Sequence, residues 1–133
     1  MEIKVGCCGF PVSRKKYYEN FKVVEVQETF YKILNENLLR KWREEAPKDF
    51  EFAIKAFQGI THDEKSPTWK RSNIDISNLK GKIGFLKNTK EVFEFWEKTL
   101  EEAKILKSKI IIIQLPKSFK DTKENIENAY NFF

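Results

Sequence analysis

The residues with the clearest capacity for chemistry are Glu25, Lys55 and the single histidine, His62. Glu25 stands between Val24 and Val26 in an apolar run, so on a strand its side chain points away from the face that carries the two valines. A carboxylate in that position must be paired or have a raised pKa, and Lys55 on the next predicted strand is its natural partner. An internal ion pair and a general acid/base pair both fit this pattern.

His62 falls in a predicted loop, where it could hydrogen-bond to the backbone or take part in catalysis or metal binding. A zinc site would need more ligands than the sequence spaces together, because Cys7 and Cys8 are adjacent and the carboxylates are scattered. We therefore predict no metal site and assign no cofactor. On an extended strand the two cysteines point to opposite faces, and we expect small buried residues of a central strand rather than a disulfide or a redox site.

The elements that must position these side chains follow from the apolar periodicity. Strands are predicted over 3–8, 22–27, 50–56 and 110–115. Helices are predicted from Ser13 through Phe21, from Asn35 to Pro47, over 89–106, and from Asp121 onward. The apolar run that begins at Ile110 is typical of a strand buried on both faces of a parallel sheet. Consecutive β/α units on a parallel sheet are therefore predicted, with a long irregular loop region over 58–88.

Length and charge limit the possible classes of protein. The chain has 133 residues, a mass of 15.9 kDa and a net charge of +5, which suits a single domain over 1–133. A basic chain can bind nucleic acid, but most of the lysines alternate with acids, as on a solvated surface. The basic loop around Trp69 is the exception, and it is the predicted contact for nucleic acid or another ligand. No apolar run approaches the ~20 residues of a membrane span, and no secretion signal begins the chain, so we expect a cytoplasmic protein without membrane contact.

Four stretches carry a resemblance to a known family. They are Gly6-Cys7-Cys8-Gly9-Phe10, the run from Val24 to Tyr31, the stretch from Trp42 to Lys55 with Ile60-Thr61-His62 after it, and Gln114 to Phe119. In order and spacing they resemble the YecE-like family, domain of unknown function 72. The resemblance covers nearly all of the chain outside 63–88, but only the first half of the family pattern.

This resemblance implies a TIM-type barrel, of which four β/α units make about half, since a complete (β/α)8 barrel needs ~250 residues. Chemistry in such barrels lies at the carboxyl ends of the strands. The residues expected there are Glu25, Lys55 and His62 as catalytic groups, and Phe10, Gln27, Glu28, Thr29, Tyr31 and Gln114 as substrate-binding groups. They predict acid/base chemistry on a small polar or phosphorylated compound; the alternative is a non-catalytic module that binds nucleic acid or another ligand through the Trp69 loop.

A sheet of four parallel strands cannot close, so its first and fourth strands would present unpaired edges. The predicted last helix also carries an apolar face, with Ile126, Tyr130 and Phe133, that no later element of the pattern covers. We therefore expect either a homodimer or a second polypeptide that completes the barrel.

Overall fold

The frame of the molecule is a sheet of four parallel strands in the order β1-β2-β3-β4. The computed structural model describes residues 1–133. The strands are β1 (Cys7–Cys8), β2 (Val23–Val26), β3 (Glu51–Lys55) and β4 (Ile110–Ile112). This confirms the predicted α/β class, with parallel β/α units in the strand order of part of a (β/α)8 barrel.

Six α-helices connect or follow the strands. They are α1 (Arg14–Asn20), α2 (Glu28–Tyr31), α3 (Glu36–Glu45), α4 (Gln58–Thr61), α5 (Lys90–Leu106) and α6 (Lys123–Phe132), and a 3-10 helix spans Pro67–Arg71. Side chains of Ser13 and Asn35 cap α1 and α3 as the sequence predicts. Helix α6, however, is capped by Thr122 rather than Asp121, because it is the Thr122 hydroxyl that accepts a hydrogen bond from the backbone N–H of Asn125.

The sequence predicted neither α2 nor α4. Each is a single turn of four residues that starts two or three positions after the end of a strand, too short to show a helical period. Both are mostly buried, and they carry several of the residues of the candidate site.

The edge strands differ from their predictions. Strand β1 has two residues rather than six, and Ile3 and Val5 before it are exposed. Cys8 is exposed and Cys7 half-buried, so the expectation of buried cysteines in a central strand is wrong. Ile110 is likewise 49% exposed, contrary to burial on both faces. The reason is the same for both strands, because each has a neighbour on only one side of the sheet.

The core on the helix side of the sheet combines strand and helix residues. Val24, Val26 and Ile54 are fully buried there against Leu39 and Leu106. Burial of aliphatic side chains of this size is worth about 1.5–3 kcal/mol each. The helices α3 and α5 are thereby held against one face of the sheet, and the other face is left for the polar groups of β2 and β3.

The long segment after β3 is fastened to the turn formed by α4. Backbone N–H groups of Gly84, Phe85 and Leu86 donate to carbonyls of 59–61 at 2.7–3.1 Å. All three residues have positive φ. A Cβ built on Gly84 would lie 2.4 Å from backbone atoms of His62 and Asp63, so the segment can approach His62 this closely only with glycine at position 84.

A buried carboxyl lies at the junction of α5 with the loop before α3. The Glu102 side chain is 3% exposed, its Oε2 accepts from the Leu34 N–H at 3.1 Å, and its Oε1 has no partner. Burial is the main cause that raises the pKa of Glu102 to about 8. The folded protein therefore holds this carboxyl in its protonated form near neutral pH.

We expect Gly84→Ala to destabilise the fold more than Gly81→Ala. Both glycines have φ of +76°, so both substitutions carry the left-handed strain of about 1–2 kcal/mol, but the Gly81 site is open. The clash with the backbone at position 84 adds about 1–3 kcal/mol. Chemical denaturation of both variants measures the difference, and equal losses would show that the contact with the His62 backbone is unimportant.

Glu102→Gln should flatten the dependence of stability on pH. The folded pKa of about 8 exceeds the ordinary value of 4.5, so the stability from this group is fully present below pH 4.5 and is lost as pH rises towards 8. The slope is at most about 1.4 kcal/mol per pH unit. Urea melts at several pH values between 4.5 and 8 measure the slope of the free energy of unfolding against pH, with the exposed Glu101→Gln variant as the control. The same slope in wild type and in Glu102→Gln would contradict the raised pKa of Glu102.

Candidate active site

A charged pair occupies the face of the sheet opposite the helix-side core. Glu25 lies in register with Cys8 on one side and Ala53 on the other. Its Oε1 is 3.8 Å from Nζ of Lys55 and accepts a hydrogen bond from Nε2 of Gln27 at 2.8 Å. The side chains of Glu25 and Lys55 are 26% and 15% exposed. The predicted pairing of these two residues is confirmed, and Gln27 joins them.

Thr29 and Phe30 of α2 hold the lysine end of this pair. The buried Thr29 hydroxyl donates to the carbonyl of Lys55 at 2.8 Å, which ties α2 to the end of β3. The ammonium of Lys55 lies 5.6 Å from the centre of the Phe30 ring, within reach of a cation–π attraction. Thr29 therefore acts through the backbone, and its hydroxyl is engaged within the fold.

His62 packs against the same phenylalanine, Phe30. Its ring packs edge-to-face against Phe30 with centroids 4.9 Å apart, and its Nδ1 is 2.7 Å from Oγ1 of Thr61. The side chain is buried, and burial is the main cause that lowers the pKa of His62; Asp63 opposes this shift and the positive charge of Lys55 adds to it. Phe30 thus lies near both the ammonium of Lys55 and the ring of His62. The sequence did not point to Phe30 as a site residue.

A cavity of about 570 Å³ opens beside His62. It lies between residues 62–68, which follow β3, and residues 114–118, which follow β4. His62 and Gln114 therefore line one cavity, although 51 residues lie between them in the sequence. We call it the His62 cavity.

The other predicted binding residues lie elsewhere. Phe10 packs on the helix side, with its ring centroid 5.2 Å from that of Tyr17. Tyr31 is covered by the guanidinium of Arg71, whose Cζ lies 3.7 Å from the ring centroid. Glu28 and Tyr31 line a separate cavity of about 230 Å³. The structure therefore groups Glu25 with Gln27 and Lys55, and His62 with Gln114, but it places Phe10, Glu28 and Tyr31 with neither group.

The 3-10 helix is anchored by residues that sequence reasoning either missed or interpreted differently. Gln58 is fully buried; its amide donates to the Tyr31 carbonyl at 3.1 Å and accepts from the Thr68 hydroxyl. Trp69 donates its indole N–H to the carbonyl of Asp63 at 2.8 Å and packs against Phe57. The available signal for Gln58 was a glutamine two positions after the predicted strand 50–56. The contacts of Trp69 give it a packing role.

The structure shows neither a metal-binding cluster nor a membrane-spanning helix. No group of three or more His, Cys, Asp or Glu side chains is arranged to hold a metal ion. None of the helices combines the length and the apolar character needed to cross a lipid bilayer.

Four parallel strands joined by helices place the chain in the α/β class, with the strand order of part of a (β/α)8 barrel. Residues 13–133 match the family described as protein of unknown function DUF72, and the chain belongs to that family. This confirms the family that the four sequence motifs resemble.

Individual relatives agree with this assignment. The UPF0759 protein YunF of Bacillus subtilis (strain 168) is 29% identical over 118 residues, which are 86% of this chain and 36% of YunF. Two crystal structures of a DUF72 family protein from Enterococcus faecalis V583 superimpose with TM-scores of 0.61, at 18% and 20% identity. They cover 96% and 90% of this chain, but the chain covers only 45% and 38% of theirs. The chain thus spans less than half the length of these relatives.

Proposed function

We propose that this chain forms part of a barrel-type enzyme that performs acid/base chemistry on a small polar or phosphorylated compound. The observation that supports it is the Glu25–Lys55 pair, which stands on the face away from the helix-side core, at the carboxyl ends of β2 and β3. Barrel enzymes place their chemistry at that end of the strands. Polar groups that converge there also give a small ligand its orientation.

The geometry of the pair suits proton transfer. Both the Gln27 amide and the Lys55 ammonium approach Oε1 of Glu25, which leaves Oε2 without a partner in the fold. That oxygen would accept a proton from the substrate, while the ammonium of Lys55, 3.8 Å from Oε1, would stabilise the negative charge left on the substrate. In this scheme Glu25 is the base, Lys55 stabilises charge, and Gln27 orients the carboxylate.

We also propose that the open sheet is completed by further strands. The outer edges of β1 and β4 have no neighbour, and Tyr130 and Phe133 of the last helical segment are 84% and 80% exposed. Exposed edges of this kind pair with other chains. The longer relatives have more than half of their length beyond the matched part to cover such edges; the 133-residue chain would use a second copy or a separate polypeptide.

A ligand-dependent melting screen tests the enzymatic proposal. Phosphorylated and other polar metabolites, metal ions and oligonucleotides are compared, since a ligand at a hundred times its Kd adds about 2.7 kcal/mol of stability. Glu25→Gln and Lys55→Met should each weaken a metabolite hit by about tenfold, or about 1.4 kcal/mol. The surface pair Lys98–Glu101 supplies the matched controls, Lys98→Met and Glu101→Gln.

Two outcomes would contradict the proposal. In the first, stabilising metabolites act equally on wild type and on Glu25→Gln. In the second, only oligonucleotides stabilise the chain, which would favour the nucleic-acid module instead.

Sedimentation velocity tests the completion of the sheet. The purified chain should sediment as a homodimer through its unpaired edges, with a mass near twice the 15.9 kDa of one chain. A monodisperse monomer with a cooperative melt would show that four strands are stable with both edges open. In that case neither a second copy nor a completing polypeptide is needed for folding.

A further inference from the structure

The hydrogen bond between Thr61 and His62 determines which ring nitrogen carries the proton. Thr61 is fully buried, and the contact of its Oγ1 with Nδ1 of His62, at 2.7 Å, is the only hydrogen bond of its hydroxyl. If Nδ1 were the donor, the buried Thr61 hydroxyl hydrogen would have no acceptor, at a cost of about 1–3 kcal/mol. The hydroxyl therefore donates to Nδ1, and a neutral ring carries its proton on Nε2.

The surroundings of the ring keep it neutral. Burial and the nearby Lys55 lower the pKa of His62, while Asp63 acts in the opposite sense. A neutral ring with a proton on Nε2 is a hydrogen-bond donor at that atom and has no free lone pair to act as a base. No other group of the fold bonds to Nε2, and the residue lines the cavity.

The remaining charged groups that line the His62 cavity are mainly cations. They include the ammonium groups of Lys65 and Lys117, and Ser118 adds a hydroxyl to the lining. The one acid, Asp63, accepts with its Oδ1 from the backbone N–H of Lys65, within the turn. Two cations against one carboxylate leave the cavity with a positive balance of charge, and an anionic ligand group that accepts hydrogen bonds complements it.

We infer that the His62 cavity binds the oxyanion of a small ligand, a phosphate or carboxylate group, through an Nε2–H donor of neutral His62. His62 is then a binding and charge-stabilising residue rather than a general base, and Glu25 alone fills the role of base. A neutral imidazole can stabilise developing negative charge in this way. The inference rests on the proposed function in one respect, namely that the oxyanion belongs to the compound on which Glu25 and Lys55 act.

The single histidine makes the experiment direct. Long-range proton–nitrogen correlation spectra of the uniformly labelled wild-type chain show one imidazole, near neutral pH. We expect Nε2 protonated and Nδ1 unprotonated, and a saturable shift of the Nε2 signal when inorganic phosphate or acetate is added at constant ionic strength. The two arms distinguish a phosphate group from a carboxylate group, and chloride serves as the non-oxyanion control.

Two variants test the donor. Phosphate or acetate affinity is read from the backbone amide shifts of Gln114, Leu115, Lys117 and Ser118. His62→Gln keeps an N–H donor and should bind within about threefold of wild type, whereas His62→Phe keeps the contact with Phe30 but should bind at least about tenfold more weakly. Lys98→Met, far from this cavity in the surface pair on α5, is the control for general charge effects.

A protonated Nδ1, a doubly protonated ring near neutral pH, or the absence of any saturable shift with both anions would overturn the inference. The wild-type spectrum decides the first two outcomes even if a variant fails to fold. None of these readouts involves Glu25, so failure here leaves the acid/base proposal standing. Conversely, a melting screen insensitive to Glu25→Gln leaves the oxyanion site intact.

Discussion

The register of β2 against β3 is the constraint on which the rest of the structure depends. It pairs Val24 with Phe52 and Val26 with Ile54, all buried on the helix side, and leaves Glu25 and Lys55 on the other face. Because side chains alternate along a strand, a slip of one residue would turn the charges into the core and the valines out of it. The large cost of burying unpaired charge therefore fixes the register and the site together.

Backbone ties from short elements then fix the ends of those strands. The Thr29 hydroxyl holds the carbonyl of Lys55, the Gln58 amide holds the carbonyl of Tyr31, and the segment at Gly84 docks on α4. Each tie satisfies a polar group that burial would otherwise leave without a partner. They bring Phe30 close to both the ammonium of Lys55 and the ring of His62.

The charged pair of Glu25 and Lys55 differs in its electrostatics from His62. Glu25 keeps one oxygen free of partners beside a cation, which suits a group that takes up a proton. His62 is buried in a position where burial and a neighbouring positive charge keep it neutral, which suits a donor. A substrate that carries an oxyanion near the proton to be removed would fit this division of roles. The outer edges of β1 and β4 have no neighbouring strand in this chain, so the sheet that carries Glu25 and Lys55 remains open.

The sequence by itself determined the parallel β/α order, the principal helices with caps at Ser13 and Asn35, the family, and the pairing of Glu25 with Lys55. These features depend on local periodicity, capping chemistry and alternation, all of which act over a few residues. The tertiary structure alone decided the short helices α2 and α4, the exposure of Cys8 and Ile110, and the separation of Phe10 from the site. It alone also decided that His62 and Gln114 line one cavity, because the approach of distant segments depends on how the loops pack and leaves no period in the sequence.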